Sequence, residues 1–257
     1  MEIQYDLNNL FLPKAPIGLT IGMFDGLHLG HRYLFKKLKE KTQSHVVLTF
    51  SSSPRNFLTK EMEFSYLMSL DLKIKLLKEE NFDLIIVLPF TDEIKQMSYD
   101  KFLDFLRKKI NFSHLLLGED ASLGKNREGN KESIFRFAEE NGFAFTPLNL
   151  LRFENLPITS SRIRHSILNG QILSAQKMLG REVMYLLSSG KKEGDSYYFF
   201  EEKICLPPSD IYRAVLKNEN SNCLAFCEID QKAKCIKIKK KYIDENNMQF
   251  PLLATFS

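Results

Sequence analysis

Five short, unbroken apolar runs punctuate the first two thirds of the chain: PIGLTIG (Pro16–Gly22), HVVLTF (His45–Phe50), DLIIVLPF (Asp83–Phe90), SHLLLG (Ser113–Gly118) and GFAFTPL (Gly142–Leu148). Runs this short and without alternation suit strands covered on both faces. Between them the hydrophobic period becomes helical. HRYLFKKLKEK sets Leu34 and Leu38 four apart above a lysine-rich face. Ser98 is placed to cap SYDKFLDFLRKKI, where Phe102, Leu103, Phe105 and Leu106 form the apolar stripe. Asn130 is placed to cap NKESIFRFAEEN, and Gly142 to stop it. Strand–helix–strand alternation implies right-handed crossovers and an α/β fold with a doubly wound parallel sheet. Such sheets hold ligands beyond the carboxyl ends of their strands.

After Gly180 the helical period stops. SYYFFEEKICL, DIYRAVL, NCLAFCEI and KCIKIKKKY read as short strands split by Gly, Pro, Asn and Asp, which predicts a small mostly-β domain. Within it, Ile236 and Ile238 alternate with lysines in KIKKK (Lys237–Lys241 being its lysine span). That pattern predicts an exposed edge strand guarded against pairing rather than a nucleic-acid patch.

Composition narrows the function classes. Hydrophobic residues at 44% and charged residues at 26% describe a globular chain, neither collagen-like nor disordered. Lys+Arg 36 against Asp+Glu 32 leaves +4, too small a surplus to make nucleic acid the expected partner. No apolar run approaches the ~18–20 residues of a membrane span. The N-terminal MEIQYDLNNLFLPKAP carries acids early and lacks the basic start and apolar centre of a secretion signal, so the expected address is the cytoplasm. Cys205, Cys223, Cys227 and Cys235 all follow the last histidine, His165, so no local zinc pattern can be written and no metal ligands are predicted. The four read as small buried strand residues.

The densest chemistry lies where the first apolar run ends, in GMFDGLHLGH (Gly22–His31). Gly22 and Gly26 let backbone approach a phosphate without a Cβ in the way. A helix opening around His28 offers unpaired N–H groups and partial positive charge to that anion. His28 and His31 are three apart, so both imidazoles share one face of the first turn. There they can donate to phosphate oxygens as charge redistributes, with Gly30 leaving room for a nucleotide.

This segment resembles the H-x-G-H nucleotidyltransferase superfamily, and its longer form is similar to G-x-F-D-G-x-H-x-G-H of the adenylyltransferase module in bacterial bifunctional riboflavin kinase/FAD synthetases. Gly22, Phe24, Asp25, Gly26, His28, Gly30 and His31 fill every fixed place. ITSSRIR (Ile158–Arg164) resembles that family's (I/V)-S-S-T-x-I-R loop, with Thr159 for the first serine and Ser161 for the threonine. The resemblance covers residues from about 17 to 182 and continues through HSILNGQILSAQKMLGRE.

Two departures accompany it. TFSSSPR (Thr49–Arg55) has Ser53 where the family's T-F-x-P-H-P-R has histidine. GEDASLG (Gly118–Gly124) keeps Gly118, Asp120 and Gly124 of G-x-D-F-x-F-G but has Ala121 and Leu123 for the phenylalanines. The family's riboflavin kinase motif P-T-A-N occurs nowhere in the chain.

The resemblance implies a Rossmann-like FMN adenylyltransferase domain at 1–182 and, at 183–257, a shortened β domain left from a riboflavin kinase barrel, without kinase activity. ATP with Mg²⁺ and FMN would be the substrates, FAD and pyrophosphate the products. His28, His31 and Arg164 are the expected catalytic residues. Gly22, Phe24, Asp25, Gly26, Gly30, Ser160, Ser161 and Arg162 are expected on ATP, and Asp120 and Arg55 on the acceptor. The altered segments leave open a different phosphorylated acceptor, or a nucleotide-binding protein with little turnover.

Overall fold

Each of the five apolar runs forms a strand in the computed structural model, which describes residues 2–14, 16–52, 65–192, 195–201, 203–217, 222–241 and 252–256. The chain divides into two compact units, Met1–Met62 with Ile74–Pro157, and Glu63–Lys73 with Ile158–Ser257.

The first unit is built on six parallel strands: β1 (Glu2–Gln4), β2 (Ile17–Ile21), β3 (Ser44–Phe50), β4 (Leu84–Leu88), β5 (His114–Gly118) and β6 (Ala144–Leu148). Their order is β1-β4-β3-β2-β5-β6. The chain steps outward from β2 to β3 and β4, then returns to lay β5 on the other side of β2. The carboxyl ends of β2 and β5 therefore flank the topological switch point, where doubly wound sheets bind ligands.

Helices cover both faces. α1 (Leu29–Lys39) buries Leu34, Phe35 and Leu38, and Phe35 meets Phe82 edge to face at 4.9 Å. It approaches so closely that a Cβ on Gly18 would lie 2.9 Å from Leu38 Cδ1. After α2 (Leu70–Glu79), which crosses the division between the units, and the short α3 (Asp92–Gln96), the opposite face is covered by α4 (Tyr99–Ile110) and α5 (Lys131–Glu140). Phe102, Leu103, Leu106, Ile110, Ile134 and Ala138 pack there against alternate residues of the sheet, Leu19, Leu48, Ile86 and Leu115 among them. Asn130 caps α5 as expected, its Oδ1 accepting from the Ser133 N–H at 3.0 Å. Ser98 does not cap α4 through its side chain. Its hydroxyl engages the Asp100 carboxylate, holding that group below the ordinary aspartate range. The Tyr99 N–H donates instead to Glu128 Oε1 at 3.2 Å.

After the ribbon β7 (Arg152–Phe153) and β8 (Leu156–Pro157), α6 (Ser160–Leu168) and α7 (Ile172–Leu179) lead into a closed barrel. Its strands are β9 (Val183–Lys192), β10 (Asp195–Phe199), β11 (Ile211–Lys217), β12 (Asn222–Asp230), β13 (Cys235–Lys241) and β14 (Leu252–Phe256). Neighbours run β10-β13-β12-β11-β14-β9. Small side chains (Ala214, Ala225, Ala254) and Phe256 are buried in it. All four cysteines are buried thiols, as expected, but only Cys223, Cys227 and Cys235 lie in strands; Cys205 sits in the connection between β10 and β11.

The expected edge strand is not an edge. β13 pairs with β12 along its length and with β10 at Cys235 and Ile236. Barrel closure protects it, and Lys239 is held by Glu228 across the strand pair at 2.6 Å. No helix among the described residues is long and apolar enough to cross a membrane.

Candidate active site

β2 ends at Ile21, and the Gly22 N–H donates to Leu48 O at 3.0 Å, extending the β2–β3 ladder by one bond. The chain then turns sharply. Phe24 and Leu27 adopt φ of 49° and 36°, Gly26 adopts 84°, and the Leu27 N–H closes onto Phe24 O at 3.1 Å. Thr49 Oγ1 on β3 donates to Met23 O at 3.2 Å and pins this bend from the side. Phe24 (3% exposed) points inward, edge-on to His31 at 5.2 Å and to Phe35 at 5.0 Å. Expected on ATP, Phe24 is instead packed beneath the bend, against the first turn of α1.

His28 is the N-cap of α1, with extended backbone (φ −74°, ψ 173°). Its Nδ1 accepts from the His31 N–H at 3.4 Å. With Nδ1 accepting, a neutral ring would carry its proton on Nε2. The two imidazoles stack at 3.6 Å with 19° between their planes, so they act as one block at the helix start. Asp25 and His28 are each 6% exposed. No acid sits in the first turn of α1, while Lys36, Lys37 and Lys39 occupy its last turn. The first favours an anion at the N-terminus, and the lysines complement the opposite, negative end of the helix dipole. Gly22, Phe24, Asp25, Gly26, His28, Gly30 and His31 thus belong to one strand–turn–helix unit at the switch point.

In the second unit, Thr159 caps α6, its Oγ1 accepting from the Arg162 N–H at 3.2 Å. Ser160, Ser161 and Arg162 form the first turn, which contains no acid. Arg164 is half-buried, and its Nε–H donates to Ser65 O at 2.6 Å. Two participants are unpredicted from the sequence. Thr159 is legible in retrospect as a capping residue before a helix, whereas the Ser65 carbonyl carries no local signal because it lies far away in the chain.

Asp120 is exposed at the carboxyl end of β5, and its Oδ1 would lie 3.0 Å from a Cβ on Gly118. Ala121 and Leu123 pack partly buried against the core of the first unit. The rest of the loop is moored to the start of α4. The Lys125 N–H donates to Met97 O at 2.8 Å, and Leu123 and Gly129 exchange backbone bonds at 3.0 Å. A Cβ on Gly124 would lie 2.3 Å from Tyr99 N, and one on Gly129 2.3 Å from Tyr99 Cβ. Ser53 and Arg55 lie outside the described residues.

The FAD synthetase family model matches residues 13–162. The chain is 28% identical over 187 residues to a bifunctional riboflavin kinase/FMN adenylyltransferase of Buchnera aphidicola subsp. Schizaphis graminum, covering 70% of this chain and 60% of the relative. It is 29% identical over 186 residues to the protein of that name in Haemophilus influenzae, with the same coverage. The chain thus matches about 60% of the length of these curated relatives. A crystal structure described as a macrolide-efflux protein from Streptococcus pneumoniae superposes with a TM-score of 0.81 at 18% identity, covering 99% of this chain and 88% of that one, and shares the fold. With more than half its residues under the family model, and the strand–turn–helix with its paired imidazoles inside the matched span, the chain belongs to the FAD synthetase family.

Proposed function

We propose that this chain is an FMN adenylyltransferase that makes FAD from FMN and MgATP in the cytoplasm and has no riboflavin kinase activity. The observation that carries the reading is the stacked His28–His31 pair at the helix start beyond β2. A phosphate oxygen of FMN attacks the α-phosphorus of ATP in line. The bond from that phosphorus to the oxygen bridging to the β-phosphorus breaks, and pyrophosphate leaves with the electron pair. No protein nucleophile is required, since positioning and charge stabilisation supply the rate. His28 and His31 donate to the α-phosphate as its equatorial oxygens gain charge. Ser160, Ser161, Arg162 and Arg164 bind the leaving pyrophosphate, where charge-assisted bonds are strongest. Gly26 and Gly30 keep the backbone bare beside the nucleotide, Gly22 leaves room for the Phe24 ring beneath the bend, Asp25 contacts the nucleotide, and Asp120 and Arg55 contact the acceptor. Mg²⁺ would come as part of the ATP substrate and would supply charge neutralisation for its phosphates.

A second reading, transfer to a different phosphorylated acceptor, draws on Ala121 and Leu123, which leave two expected aromatic positions aliphatic. Incubation with MgATP and either FMN or riboflavin, with chromatographic analysis, separates these readings. FAD from FMN with riboflavin untouched is the expected outcome. FMN from riboflavin would overturn the loss of kinase activity, and pyrophosphate release only with another phosphorylated acceptor would overturn the substrate assignment.

A further inference from the structure

The β barrel has no part in the chemistry above, yet its hydrogen bonds run directly to Arg164. Ser65 and Tyr66 precede α2 in the chain but belong to the second unit. The Tyr66 N–H donates to Lys203 O at 2.6 Å, and the Cys205 N–H donates to Tyr66 O at 2.7 Å, a parallel bridge centred on Ile204. Ile204, Cys205 and Leu206 are 4%, 1% and 0% exposed, so this bridge is anchored in the core. Cys205 is fixed twice more. Its carbonyl accepts from the Tyr185 hydroxyl of β9 at 2.9 Å, and its thiol donates to the Arg164 carbonyl at 3.7 Å. Arg164 closes the circuit by donating from Nε to Ser65 O.

The circuit therefore passes from the Arg164 side chain to Ser65, along the chain to Tyr66, across to Cys205 and back to the Arg164 backbone. A guanidinium is planar, so fixing Nε to a rigid carbonyl fixes the plane of its whole donor fork. A long flexible side chain otherwise surrenders rotamer freedom when it binds a ligand. We propose that the barrel pre-organises the phosphate-binding arginine, with Tyr66 and Cys205 as positioning residues that act through Arg164 on the affinity for the triphosphate. The inference rests on the reading of Arg164 as a triphosphate ligand, and it gives the barrel a task in nucleotide binding that needs no activity of its own.

The test is equilibrium binding of MgATP, without acceptor, to the full chain by titration calorimetry. Cys205→Ala removes the thiol donor, Tyr66→Pro removes the N–H to Lys203 O, and Tyr185→Phe releases the Cys205 carbonyl while keeping the ring. Each is expected to raise Kd about 3–10-fold, the range of one lost positioning contact. In an Arg164→Lys background the same changes should raise it no further, because Lys has no planar fork to orient. Unchanged Kd in Cys205→Ala and Tyr185→Phe, or equal losses with and without Arg164, would overturn the proposal. A Tyr66→Pro chain that fails to fold leaves the decision with those two. If the wild type binds MgATP and shows this coupling but makes no FAD, the acceptor assignment fails and the positioning role stands.

Discussion

Adding one methyl group at Gly22 tests whether the cradle is as tightly built as its contacts imply. Gly22 has no left-handed φ, so alanine meets no backbone penalty and the substitution isolates a single contact. Its Cβ would lie 3.0 Å from both Cε1 and Cζ of Phe24 and 3.4 Å from Cδ1. Carbon atoms rest at about 3.5–4.0 Å, so the ring must retreat by roughly 0.5 Å. It has no slack, being 3% exposed and packed edge-on to both His31 and Phe35. Overpacking of this kind costs about 1–3 kcal/mol. At about 2–4 °C per kcal/mol for a chain of this size, Tm should fall by roughly 2–12 °C. The displaced ring pushes on the imidazole stack, and a misplacement of about half an ångström in a catalytic group lowers kcat on the order of tenfold. Scanning calorimetry and FAD formation at saturating substrates read the two effects. Adding Phe24→Leu should recover part of the Tm, since the smaller side chain makes room. Wild-type Tm and kcat in Gly22→Ala, or no recovery in the double variant, would refute the reasoning.

Three further outcomes follow. His28→Ala should lower kcat about 10²–10³-fold, the range for one donor to developing charge, measured by single-turnover FAD formation. Gly124→Ala meets both a φ of 73° and the Tyr99 backbone. It should cost more than about 1 kcal/mol in urea unfolding and raise KM for FMN while leaving KM for MgATP within about twofold, by detaching the loop that carries Asp120. Burial, then the nearby Lys41, hold the His114 imidazole below its ordinary value of 6.5. A lowered histidine pKa gives stability that is present above the unfolded value and is lost as pH falls through the folded one. The first unit should therefore weaken below about pH 6.5, and His114→Gln should flatten that slope in denaturation series across pH.

The inner strands of the first unit, β2 to β5, were legible because burial on both faces forces unbroken apolar runs, whereas β6, read as covered on both faces, is an edge strand with half-buried or exposed residues. β1 escaped because Glu2–Gln4 is a three-residue edge strand with no apolar run. The KIKKK run misled because lysine alternation looks the same on a free edge and on the outer surface of a barrel. What separates the two is closure of the barrel, which sets β13 between β12 and β10, a long-range event. The cap of α4 shows the same limit, since Ser98 has the right identity but its hydroxyl is taken by Asp100, and the distant Glu128 accepts the N–H. The histidine pair was readable because glycine, histidine and strand end lie within eleven consecutive residues, Ile21–His31. The clasp on Arg164 was not, because its partners, Ser65 and Cys205, are scattered along the chain and two of its bonds use backbone carbonyls.

The central claim is that the stacked imidazoles serve the α-phosphate of ATP. Single-turnover reaction of the protein with FMN and ATP labelled at the α-phosphorus tests it directly, followed in wild type, His28→Ala and His31→Ala. The account predicts label in FAD, with transfer slowed about 10²–10³-fold in either variant while MgATP affinity changes only several-fold. Label absent from FAD, or wild-type transfer rates in both variants, would contradict it.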